Sequence, residues 1–107
     1  MAKPLKLLII ERAKELIQDE RHWCRGSLAI DASGEPTDPT SKEPVRRCAL
    51  GALMAAAHEL TSNRLSAYEL TFNALRPLCG SNTVIFTNDH RGHAAVLALF
   101  DEAMAAV

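Results

Sequence analysis

Aromatic side chains are scarce: Phe, Tyr and Trp together make up 5% of the 107 residues. A core built from this sequence must therefore be aliphatic and rich in alanine. Net charge is nearly absent too, at −1, and Lys and Arg are scattered from Lys3 to Arg91 instead of gathered in a tract. Without a positive field, non-specific nucleic-acid binding is disfavoured. No apolar run reaches the roughly twenty residues that a membrane span requires. The first twelve residues offer four consecutive apolar ones, Leu7-Leu8-Ile9-Ile10, with no cleavage site after them, too short an apolar region for a signal peptide. Cysteine occurs three times, at positions 24, 48 and 79, an odd number at wide spacing with no CxxC pair. Reduced thiols fit that pattern better than a disulfide framework. The expectation is a cytosolic protein with no membrane partner. With no repeat, linker or low-complexity tract, residues 1–107 read as a single domain.

What the sequence does contain leans helical. Hydrophobic residues make up 48% and charged ones 23%, as in an ordinary globular protein. The longest apolar stretch, Cys48 to Ala57, is apolar all round a helical wheel, which predicts a central helix covered on every side. Before it, Leu5, Leu8, Ile9, Ala13, Leu16 and Ile17 recur at helical spacing and predict a first helix over 5–20. Between the two, Leu28 and Ile30 alternate with smaller or polar residues, and Gly34 sits in a turn sequence, which predicts a small hairpin. Ser41 suits the cap of a second helix over 42–60, with Pro44 in its first turn. Ser66 and Glu69 form a capping box for a third helix over 66–77. Val84-Ile85-Phe86 reads as an edge strand or buried linker, and Thr87-Asn88-Asp89 as caps for a last helix over 91–106. The stripe His93, Val96, Leu97, Phe100, Ala103, Met104 and Val107 recurs on one face there. The fold class is mainly α: a compact four-helix domain with a small β-hairpin between helices 1 and 2. Gly51 inside the central helix costs about 1 kcal/mol relative to alanine, so another helix, the first or the last, is expected to cross closest there and at Ala55.

Trp23-Cys24, the run Val45-Arg46-Arg47-Cys48-Ala49-Leu50-Gly51-Ala52-Leu53, Asn88-Asp89, and His93 followed by Val96-Leu97-Ala98-Leu99-Phe100-Asp101 together resemble a family of small bacterial and bacteriophage proteins known only as a domain of unknown function. The resemblance runs from about Leu7 to Met104. It implies no activity, and suggests the company of phage and mobile-element accessory proteins.

Three chemistries can be written with these residues. A thiol hydrolase would use Cys24 or Cys48 as nucleophile, His93 as base, and Asn88 or Asp89 to orient the imidazole. Against it, free cysteine is often buried, Asn and Asp are what a helix start requires, and one hydrogen bond could satisfy His93 on an apolar stripe. A zinc site could draw on Cys24, Cys48, Cys79, His22, His90 and His93, but the short-spaced ligand pairs of structural zinc are missing, so no metal is assigned. A helix-turn-helix reading fits the rhythm of helices 2 and 3. Yet residues 66–75 hold no basic side chain, and Glu69 would face phosphate or bases.

Trp23 with His22 could line a groove, although such a residue more often anchors a loop. Arg46 and Arg47 could form an anion patch. The leading expectation is a small binding or interaction module without enzymatic activity and without a cofactor. Its binding candidates are Trp23, His22, Arg46 and Arg47, and its partner is a protein or small molecule. The thiol hydrolase is the alternative, followed by a small DNA-binding or zinc-binding module.

Overall fold

Apolar residues three and four apart bury one face of α1, Leu5–Ile17, through Ile9, Ile10, Ala13 and Ile17. The computed structural model describes residues 3–61 and 81–106, which are mainly helical. Helix α1 stops before the expected 20 because Asp19 turns to extended geometry and its carboxylate accepts the Arg21 amide. A short polar side chain that binds local backbone in this way competes with helix continuation. One turn of 3-10 helix, Glu20–His22, follows.

The hairpin lies where it was expected, but with a different second strand. Strand β1, Ala29–Asp31, pairs antiparallel with β2, Pro44–Arg47, in the register Ala29 with Arg47, Ile30 with Arg46 and Asp31 with Pro44. The turn at Gly34 is real: φ is 84° there and its amide donates to the Asp31 carbonyl at 3.0 Å. Beyond it, Pro36 contributes only an isolated bridge to Ile30. Pro44 donates no ladder hydrogen bond and sits at the end of the pairing, as proline in a sheet must.

Residues 44–47 were assigned by sequence to the second helix, and that assignment is corrected. Helix α2 is Ala49–Thr61. Ser41 caps nothing in it, since its hydroxyl donates to the Asp38 carbonyl at 2.8 Å. The cap is Cys48, whose carbonyl accepts from the Ala52 amide at 2.8 Å and whose Sγ accepts from the Gly51 amide at 3.3 Å. Pairing with β1 outweighed a good local cap signal, as tertiary context commonly does.

Helix α2 buries Ala49, Gly51, Ala52, Leu53, Ala55, Ala56 and Ala57, more residues than either α1 or the last helix, as its composition predicted. The close approach at Gly51 is also real, but among the described residues the nearest partner is the backbone at Leu28 and not the first or last helix. A Cβ on Gly51 would collide with the backbone carbonyl of Leu28. The same carbonyl accepts the Cys48 amide at 3.1 Å, so a helix start and a strand entrance meet backbone to backbone. Only a residue without a side chain fits between them.

The expected third helix over 66–77 lies outside the described residues. Val84–Phe86, expected as strand or linker, belongs to α3, Ser81–Phe86, and a π turn, Thr87–Arg91, continues it. Gly92, at φ 96°, closes that turn by donating to the Thr87 carbonyl at 3.2 Å. The last helix, α4, is therefore His93–Ala106, and Asn88 and Asp89 do not cap it. Its Val96, Phe100 and Ala103 join Ile9, Ile10, Ile17, Leu53 and Val84 in the core. Ion pairs at the rim link α1 to its neighbours: Arg12 to Glu59 at 2.8 Å and Lys14 to Asp101 at 2.6 Å. Among the described residues no helix is long and apolar enough to cross a membrane.

Candidate functional site

Asn88 is a buried polar residue at 1% exposure, and each half of its amide has two partners. Its Oδ1 accepts the Trp23 indole N–H at 2.6 Å and the Ala49 amide at 2.9 Å. Its Nδ2 donates to the Cys24 carbonyl at 3.0 Å and to Asp89 Oδ1 at 3.0 Å. Two donors on one side and an obligate acceptor on the other leave no freedom to flip the amide. The π turn matters here, because its extra residue per turn re-aims side chains that an α-helix would send elsewhere. Asn88 thereby caps the first N–H of α2 from another element and ties it to the loop that follows α1.

Asp89 extends this hub outward. Its Oδ1 also accepts the Gly26 amide at 3.2 Å. The hydrogen bond from Asn88, first, and that from Gly26 hold its carboxyl below the usual carboxylate range, against a smaller opposing effect of burial.

Cys24 and Cys48 flank the hub and are both buried. Burial pushes the Cys24 thiol up to about 11, with Cys48 and Asp89 nearby adding to the rise. Cys48 is raised as well, again chiefly by burial, despite the amides at the start of α2 that favour its thiolate. The Cys24 thiol donates to the Ser27 carbonyl at 3.4 Å. The rings of His93 and Trp23 lie 5.5 Å apart, and His93 Nε2 meets the Ile17 carbonyl at 2.6 Å. A carbonyl only accepts, so Nε2 carries the proton. Cys24, His93 and Asn88 are thus gathered around Trp23, but His93 bonds to Ile17 and packs on Trp23, while Asn88 bonds to Trp23, Ala49, Cys24 and Asp89.

Beside the hub opens a cleft of about 180 Å³, lined by Gly26, Ser27, Leu28, Cys48, Leu50, Ile85, Asn88 and Asp89. Leu28 is 40% and Ile85 43% exposed at its edge. The sequence model of a family of unknown function, DUF6197, matches residues 1–106. The chain belongs to that family. No curated protein and no solved structure matches it.

The other residues singled out from sequence are distributed around this hub. Trp23 is buried at 8% exposure, with the Arg25 guanidinium 5.3 Å from its ring centre, so it anchors the loop to the core. His22 is exposed at the end of the 3-10 turn. Arg46 is exposed on β2, whereas Arg47 is half-buried and its Nε donates to the Pro39 carbonyl at 3.0 Å. His90 is exposed and packs on Phe86 at 4.9 Å between ring centres. Cys79 lies outside the described residues. Among the described residues no group of three or more His, Cys, Asp or Glu could hold a metal ion.

Sequence reasoning missed Leu28, Leu50 and Ile85 as lining residues. Leu28 carried only a strand-like alternation, Leu50 only its place in the apolar stretch from Cys48 to Ala57, and Ile85 only the apolar run Val84-Ile85-Phe86, whose periodicity could not say that Ile85 and Phe86 face outward while Val84 is buried.

Proposed function

We propose that the protein is a small binding module without catalytic activity, and that the cleft beside Asn88 takes a small molecule with an apolar body and an amine. The observation that carries the first half is the engagement of Asn88: its oxygen and nitrogen each serve two partners that hold the structure together. An amide so used cannot orient a catalytic imidazole. Two buried thiols with raised pKa agree with that, because an attacking cysteine needs an accessible, electropositive setting. The second half rests on the lining, where Leu28, Leu50 and Ile85 supply apolar surface and Asp89 a carboxylate held in its charged form. A cleft of about 180 Å³ is of the order of the ~150 Å³ engineered cavity that admits benzene.

Reduced, unpaired cysteines suit the cytoplasm, and an accessory role in bacteria or phage is what the family resemblance suggests. Benzylamine tests the cleft. Its addition should shift the methyl resonances of Leu28 and Ile85, and Asp89→Asn should weaken that response. No shift at millimolar benzylamine overturns the cleft assignment. Iodoacetamide labelling across pH, mapped by mass spectrometry, tests the absence of catalysis: slow labelling of Cys24 and Cys48 is expected, and rapid labelling of either below pH 7 overturns it.

A further inference from the structure

The hairpin entrance and the start of α2 bring two sequence-distant thiols side by side. Trp23 and Arg47 form a parallel bridge, and the Cys24 amide donates to the Arg47 carbonyl at 3.1 Å. Paired segments run about 4.8 Å apart, so Cys24 and Cys48, which each follow a residue of that isolated bridge, are expected near the Cα separation of about 4.4–6.8 Å that a disulfide spans. Side chains at equivalent positions of a parallel pair leave by the same face. Two further contacts agree. Asn88 bridges the Cys24 carbonyl to the Ala49 amide next to Cys48, and both thiols have Asp89 as a charged neighbour. Cys48 also lines the cleft.

We propose that Cys24 and Cys48 form a reversible dithiol–disulfide pair, closed by a low-molecular-weight disulfide of the glutathione type that presents its S–S bond at the mouth of the cleft. The Cys48 thiol loses its proton to water and its sulfur attacks one sulfur of the small disulfide; the new S–S bond forms, the old one breaks, and one small thiolate leaves and takes up a proton. The Cys24 thiolate, formed by loss of its proton, then attacks the Cys48 sulfur of that mixed disulfide. The second small thiol leaves, and the protein bears a Cys24–Cys48 bond. Two protein thiols are oxidised and one small disulfide is reduced to two thiols.

Burial makes the first step slow near neutral pH, because only the thiolate attacks. The second also needs a thiolate that burial disfavours at Cys24, but it is intramolecular and needs no further reagent. Slow labelling by iodoacetamide and complete oxidation at equilibrium are therefore compatible. The bond ties the Trp23–Leu28 loop to the cap of α2 and alters the cleft wall at Cys48. Bond formation in the empty cleft does not require that the cleft bind an amine, so benzylamine binding and disulfide formation can fail separately.

The test is equilibration of the folded protein in graded mixtures of reduced and oxidised glutathione, followed by acid quench and peptide mapping without reduction. Expected is a loss of two hydrogens in mass and a linked peptide pair containing Cys24 and Cys48, in the natural chain and in Cys79→Ser. The oxidised form should melt about 10 °C higher. Cys24→Ser should stop at a glutathione adduct on Cys48, because no resolving thiol remains. A lasting glutathione adduct on Cys48 with Cys24 present, linkage chiefly to Cys79, or a Cys24–Cys48 bond formed only in denaturant would each overturn the proposal.

Discussion

The helical core and the hub at Asn88 hold the same molecule together by opposite means. In the core, Ile9, Ile10 and Ile17 of α1, Leu53 of α2 and Val96 and Phe100 of α4 pack without polar partners. What matters there is volume, and a lost methylene is shared among many neighbours. In the hub, one side-chain amide serves a ring N–H, a helix-start N–H, a backbone carbonyl and a carboxylate. What matters there is atom identity, because a buried donor left alone loses its whole solvation. A core can be rewritten with other aliphatics; a hub of this kind can only be kept or broken.

That contrast can be broken or sharpened by substitution. Asn88→Ala strands the Trp23 and Ala49 N–H groups and the Cys24 carbonyl, and should cost about 4 kcal/mol in urea denaturation. Gly51→Ala, which drives a Cβ into the Leu28 carbonyl, should cost about 3 kcal/mol by the same measurement; an unchanged melting temperature would mean that the close contact between α2 and the hairpin is wrong. Ile10→Val, which removes one buried methylene, should cost about 1 kcal/mol. Were it to equal Asn88→Ala, the distinction between volume and atom identity would collapse.

Smaller effects follow at the edges. Asp89 is held below its unfolded pKa, so its stabilisation is fully present above about pH 4 and fades as pH falls through the lower folded value. Asp89→Asn should therefore flatten the acid limb of a stability–pH curve by under about 1 kcal/mol, while an unaltered limb would show that Gly26 and Asn88 do not favour the charged form. Lys14→Ala, which removes the partly exposed pair with Asp101, should change stability by about 0.5 kcal/mol or less.

The two regions were also unequally readable from sequence. Helical periodicity placed α1 within a few residues and identified α2 as the most buried element, because apolar spacing follows directly from 3.6 residues per turn. It also put His93 on an apolar face where one hydrogen bond would satisfy it, and that bond is to Ile17. For Asn88 and Asp89, the local rule that Asn and Asp start helices pointed to α4. Their side chains instead reach back to Cys24, Gly26 and Ala49. Asn88 does satisfy a helix start, but in α2, 39 residues away in the chain. No local pattern encodes that pairing.

Sequence alone determined the helical class, the alanine-rich interior, the turn at Gly34 and the need for a close approach at Gly51, since each is set by local spacing or by the absence of a side chain. Only the tertiary structure decided what Gly51 meets, which residues follow the turn as the second strand, and whose N–H the Asn88 oxygen would hold. Those are choices between partners distant in sequence. In the arrangement reached, no buried side-chain nitrogen or oxygen among the described residues lacks a partner, as burial of polar groups demands.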